Sequence, residues 1–230
     1  RSVLGYSASD LRELAQGRAV IRALDTVDDR EIAIAGAVRV AVSPAQYIAE
    51  LRDIVEVKKH EAVLQIGTFS SPARPQDLAG LTLDRDHLED LRECRLHDCD
   101  LQLSRAAIER ARTIQWSNPN AATQANRFVH ELLAELIENY RRLGDAALMT
   151  YENDDQPLSV AHEFSAMLAA PPAVLQRVPA LERHISQYPA GRVSGIEDLF
   201  YWSKEDIGPK VIVSVPSPVG LTLDSASQAL

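Results

Sequence analysis

The sequence predicts an α+β protein, with an antiparallel curved sheet drawn from both ends of the chain and a large helical block inserted in the middle. Apolar residues recur at every second position near the two ends, in 31–42 and 210–215. Through 84–189 they recur instead at helical spacing. Strands and helices are thus segregated rather than alternating, which favours α+β over a doubly wound sheet. The chain, 1–230, reads as a single α+β domain with 84–189 as a helical insertion within it.

The N-terminal elements come first. Ser7 or Ser9 caps a short helix whose apolar side carries Leu11 and Leu14, and Gly17 stops it. A strand over 18–26, a turn at Val27–Arg30 and a strand over 31–42 read as a hairpin. Ile32, Ile34, Val38, Val40 and Val42 share one parity, predicting one buried face, and Gly36 marks a bulge or bend. Ser43, Pro44 and Gln46 open a helix with a capping box, and Tyr47, Ile48, Leu51, Ile54 and Val55 form its stripe. A strand over 61–69 follows, ended by Ser70, Ser71, Pro72 and Pro75.

The helical block contains several pieces. Asp84–Glu93 is one short helix, and Ser104 caps another with Ile108, Ala111 and Ile114 on one side. Asn118-Pro119 starts the longest, whose stripe runs from Ala121 through Phe128, Leu132, Leu136 and Tyr140 to Leu143, with Gly144 as its stop. Ser159 caps a helix that Pro171-Pro172 ends, and Pro179 opens one more before Pro189. Aromatic Asp198–Ser203, β-branched Lys210–Val215 and Gly220–Leu223 then read as strands.

Composition sets the outer limits. Over 230 residues, 46% apolar and 25% charged is ordinary for a chain with a real core. A net charge of −9, with basic residues clustered only as the pairs Lys58-Lys59 and Arg141-Arg142, argues against nucleic acid as a partner. No apolar run approaches the roughly 20 residues of a transmembrane helix. The chain starts at Arg1 without a methionine, as expected if a leader or tag has been removed, and contains no signal peptide.

The two cysteines enclose four residues in Cys94-Arg-Leu-His97-Asp-Cys99. Three states are open to them: a disulfide, a metal site joining His97 to both sulfurs, or a pair of free thiols. The disulfide is favoured, because structural zinc wants a fourth ligand and a shorter spacing. With no other cysteine present, it also fits an exported protein, periplasmic or extracellular.

Motifs for chemistry are lacking. There is no Gly-x-Ser-x-Gly, no phosphate-cradling glycine loop and no His-Glu-x-x-His, although His130-Glu131 and His162-Glu163 supply its first half. Ser194-Gly195 and Ser203-Lys204 are isolated pairs. Glu131 and Glu135 beside His130 read as exposed helix polarity, and Glu152–Asp155 reads as a solvated turn rather than a calcium loop. No catalytic residue, metal or cofactor is assigned, and a noncatalytic domain is favoured over an enzyme of unrecognised type.

Arg30–Val42, Pro44–Val55 and Ala62–Phe69, read as hairpin, helix and strand, are similar to the opening of helix-grip proteins, the START-like or polyketide-cyclase superfamily. More narrowly, Leu91–Cys94 with Asp98–Leu103, Gly144–Tyr151 and Tyr201–Glu205 resemble a group of exported bacterial proteins without an assigned activity. The superfamily resemblance implies a hydrophobic cavity between a curved sheet and a C-terminal helix. Only 15 residues follow Val215, so the closing helix is missing or one from the inserted block replaces it. The implied ligand is a hydrophobic small molecule or lipid, with Arg39, Phe69, Phe200 and Trp202 as candidate contacts. The alternative is a protein-interaction or scaffold domain of the cell envelope that uses the helical block.

Overall fold

The computed structural model describes residues 6–25, 33–169, 178–208, 210–215 and 219–222, and it is α+β. Helix α1 (Ala8–Ala15) is capped by Ser7 in a reciprocal box with Asp10, and Gly17 leaves it at φ 76°. Strands β1 (Val20–Leu24) and β2 (Ala33–Ala37) form a regular hairpin in which Gly36 faces Ile21, with no bulge. The expected turn at 27–30 and Ile32 lie outside the described residues.

The expected buried face of this hairpin is not buried. The second strand ends at Ala37, five residues early, and Ile34, Val38, Val40 and Val42 are exposed. Alternation records that a strand has two unlike faces; it does not supply the layer that would cover one of them.

Helix α2 (Pro44–Leu51) begins as expected, with Ser43 accepting from the Gln46 amide. The Gln46 side chain turns to Glu50 at 3.3 Å, up the helix. The stripe expected to continue to Val55 is broken, because Asp53 caps a separate turn, α3 (Ile54–Val57), by accepting from the Glu56 amide. An aspartate in mid-stripe competes for backbone donors and restarts the helix.

The central sheet joins segments from either side of the helical block. Its antiparallel order is β3 (Val63–Thr68), β7 (Tyr201–Asp206), β8 (Val211–Ser214). Between β3 and β7 run a 3-10 turn (Pro75–Leu78), α4 (Arg85–Glu93), α5 (Arg105–Ala111) and α6 (Ala121–Leu143). Asp84 and Ser104 cap α4 and α5 with their side chains. Helix α6 has 23 residues, about 34 Å at roughly 1.5 Å per residue. Ala134, Ile137 and Tyr140 of α6 pack with Phe69, Leu78, Leu81, Phe200 and Trp202. Toward the start of α6, Ala125 and Phe128 pack with Leu91, Ala107, Ala111 and Ile114. The wide stripe thus serves two internal clusters.

After Gly144 comes a short hairpin that periodicity did not reveal, β4 (Thr150–Tyr151) with β5 (Leu158–Ser159), enclosing the acidic run. Helices α7 (Val160–Ala169) and α8 (Pro179–Ser186) follow. The aromatic segment read as one strand is two: β6 (Ile196–Leu199) pairs with β9 (Val219–Thr222), and Phe200 separates it from β7. Phe200 and Trp202 were expected on one face, with Tyr201 on the other. All three are buried, because Lys58 lies over the Tyr201 ring at 5.1 Å on the far side.

Candidate functional site

Three of the four expected ligand contacts come together, and they do so as packing. Phe69, Phe200 and Trp202 belong to one core cluster with Leu78, Leu81 and three residues of α6. Trp202 donates its indole N–H to the Asp77 carbonyl at 2.9 Å, and its ring lies against Gly67 and Gly80. The Phe200 ring meets the Arg141 guanidinium at 4.6 Å and the Tyr140 ring edge-on at 6.4 Å. Arg39 belongs elsewhere: it is exposed in the segment after β2.

A polar network that the sequence reading missed lies behind these aromatics. His184, with a side chain 1% exposed, bridges α8 to β6 through Asp198 Oδ1 at 2.6 Å. Its Nδ1 accepts from the Val193 amide at 3.1 Å, so Nε2 carries the hydrogen that goes to Asp198. Arg192 Nη2 lies 2.9 Å from Asp198 Oδ2, close enough to pair charges but not aligned for a hydrogen bond. Tyr140 and Tyr188 stack at 5.3 Å, and burial pushes both hydroxyls above the usual tyrosine range. The Asp145 carboxyl is also raised by burial, partly offset by its bond to Tyr140. A substrate does not reach a histidine this enclosed, so the network anchors α8 to β6. Nothing in a sequence separation of 14 residues points to that pair.

Cys94 and Cys99 lie with their sulfurs 2.01 Å apart, at disulfide distance. This removes the metal reading of Cys94, His97 and Cys99, since sulfurs bonded to each other offer no thiolate. The loop they close is pinned to the acidic hairpin. The His97 and Cys99 amides donate to the carbonyls of Glu152 and Asn153, both at 3.1 Å, and His97 Nδ1 lies 3.0 Å from the Asp154 carbonyl. Beside it opens a cleft of about 420 Å³ lined by Asp90, Glu93, Asp98, Asp100 and Asp154 among others. Burial and the neighbouring Asp100 hold the Asp90 carboxyl above the usual aspartate range. Among the described residues, no group of three or more His, Cys, Asp or Glu is placed to hold a metal ion.

Exposed apolar side chains occur on several elements, and the two most exposed of the large ones, Ile21 and Ile34, are both on the hairpin. Cross-strand partners share a face in an antiparallel pair. The register therefore places Ile21 beside Gly36 and Ala23 beside Ile34 on one side. Ile21 is 73% exposed and Ile34 65%, and Val38, Val40 and Val42 extend the apolar surface along the chain. Among the described residues, β1 and β2 pair only with each other, and neither outer edge is paired with another described strand.

Comparison with family models, curated proteins and solved structures finds no match to this chain. Among the described residues, no helix is long and apolar enough to cross a membrane.

Proposed function

We propose that the chain is a noncatalytic interaction domain that docks an extended, apolar segment of another protein onto the β1–β2 hairpin. The observation that carries this reading is the face of Ile21, Ala23, Ile34 and Gly36, exposed and bordered by strand edges that pair with no other described strand. Strand addition uses both features at once: edge amides and carbonyls supply affinity, and alternate side chains supply selectivity. A lone two-stranded hairpin is marginal in water and gains from a third strand. The contact element is thus the hairpin rather than the helical block, because the α6 stripe is occupied on both sides within the chain.

An interior lipid or small hydrophobic ligand is the weaker reading. Phe69, Phe200 and Trp202, the side chains it would use, pack against one another and against α6. The cysteine pair supports an oxidising compartment, and with it the export inferred from the sequence.

A photo-crosslinking side chain at position 34, installed in the producing cell, tests the docking. The expected result is a discrete adduct to one protein that disappears when Ile21 is replaced by Asp. An adduct yield no greater than at exposed Arg127 would overturn it, as would transfer of the label to lipid alone.

A further inference from the structure

The start of α4 meets the outer edge of the central sheet through one histidine. Asp84, the N-cap, accepts from the His87 amide at 3.0 Å, and the same carboxylate oxygen lies 2.5 Å from His87 Nδ1. The other ring nitrogen, Nε2, lies 3.0 Å from the carbonyl oxygen of Val211 on β8. Lys204 of β7 completes the group, with Nζ 3.2 Å from the second Asp84 oxygen and donating to the Thr82 carbonyl at 2.9 Å.

Both contacts are hydrogen bonds at once only if the ring carries a hydrogen on each nitrogen. A carbonyl oxygen only accepts, so Nε2 must carry a hydrogen to bond Val211. Burial alone would raise the Asp84 carboxyl, but hydrogen bonds from the His87 backbone and ring and from Lys204 outweigh it and bring it to about 2. Asp84 is therefore an anion in all but strong acid and only accepts as well, so Nδ1 must also carry a hydrogen. The imidazolium alone has both.

A neutral ring keeps one hydrogen. The nearer and charged acceptor is Asp84, so the hydrogen stays on Nδ1, and Nε2 then turns a lone pair toward the Val211 oxygen. Two acceptors at that distance repel. The bond that fails is the one to β8, while the bond at the helix cap survives.

We propose that His87 is a pH-sensitive latch: charged, it ties the N-terminus of α4 to the edge of β8; neutral, it keeps Asp84 and releases Val211. Of the other charges, Lys204 from β7 pairs with Asp84, and Asp90 on α4 interacts with His87 and also with Asp86, Asp100 and, just ahead of β8, Lys210. Lys204 stays paired with Asp84 when the ring loses its charge, so the cap is held in both states. The two states differ at the strand.

Long-range proton–nitrogen spectra of the chain labelled at histidine, taken over roughly pH 5 to 8 where histidine side chains change charge, test this directly. Both His87 nitrogens are expected to be protonated at the acid end and Nδ1 alone at the basic end. Amide exchange at 211–214, corrected for its intrinsic pH dependence, is expected to rise severalfold over the same step, and the step is expected to vanish in His87→Gln. A neutral ring carrying its hydrogen on Nε2 would overturn the latch even if the variant failed to fold. So would an exchange step that persists in the variant.

Discussion

Gly144 and Tyr188 approach so closely that a methyl group built on Gly144 would lie 1.9 Å from the Tyr188 carbonyl oxygen. Gly144 ends α6, and Tyr188 stacks on Tyr140 in the last turn of that helix. The contact therefore fixes how the segment after α8 crosses the end of α6, and backbone on both sides leaves nothing that can move aside cheaply. Gly144 also sits at φ 60° and ψ −138°, a conformation that costs other residues strain. Gly144→Ala is expected to destabilise the protein by about 3 kcal/mol or more. Urea unfolding measures this; a loss near the ~1 kcal/mol of an ordinary loop substitution would mean the crossing is not tight.

Gly67 makes a softer version of the same contact. Its missing Cβ would fall 2.6 Å from the Trp202 indole, a side chain rather than backbone. Gly67→Ala is expected to cost about 1–3 kcal/mol and to shift Trp202 fluorescence as the ring is pushed off the Asp77 carbonyl. Because both residues act on one space, Gly67→Ala combined with Trp202→Phe should cost less than the sum of the two single changes. Additive costs would show that the glycine does not seat the ring.

Much of this framework is legible in the sequence where a local device decides the structure. Ser7, Ser43 and Ser104 cap the helices they were expected to cap, because a side-chain acceptor three residues ahead of an orphan amide acts within a single turn. Helix α6 and its stop at Gly144 follow from the length of its periodic stripe. What periodicity does not carry is the partner of a face. It gave the hairpin a buried side where the structure has an exposed one, and it left open a contact role for the helical block, where two clusters inside the chain take up the α6 stripe. The pairs His184–Asp198 and His87–Val211 were illegible for the same reason, since each joins elements brought together only by tertiary packing.

Asp84 makes acid stability testable. Its carboxyl is lowered in the folded protein from 3.8 to about 2. A depressed carboxyl contributes stability that is present above its unfolded value and is lost as pH falls through its folded one. Asparagine caps helices about as well as aspartate, so Asp84→Asn removes the charge and leaves the cap. The variant is expected to be less stable than the natural chain at neutral pH, and the difference is expected to shrink between 3.8 and about 2 and to vanish below. Denaturant unfolding at several pH values reads it, and a difference that stayed constant down to the lowest pH would show that the charge is not what stabilises.

The cysteine pair closes a loop of six residues, small enough that its effect on the unfolded chain is modest. The loop-entropy model gives about 2 kcal/mol for a ring of that size. Replacing both cysteines by serine is expected to cost that amount globally. The larger effect should be local, in faster amide exchange at His97 and Cys99, whose amides hold the loop to Glu152 and Asn153. Unchanged exchange at those two amides in the double variant would show that the hydrogen bonds alone hold the loop.

Replacing Ile34 by lysine separates a docking face from a core. A buried isoleucine exchanged for a long cation would strand a charge away from water and unfold a domain of marginal stability. Ile34 stands 65% exposed, its cross-strand neighbour is Ala23, and Gly36 and Ile21 sit beside it on the same face. Lysine there keeps a long aliphatic stem and places its ammonium in water. Ile34→Lys is therefore expected to change unfolding free energy by no more than about 0.5 kcal/mol, the range of ordinary surface substitutions. It should also abolish crosslinking through a photo-reactive side chain placed at Ile21. The two measurements must come out together: lost crosslinking with intact stability is what an external apolar partner produces. A loss of several kcal/mol would mean that this face is covered from within the chain and that the docking surface lies elsewhere.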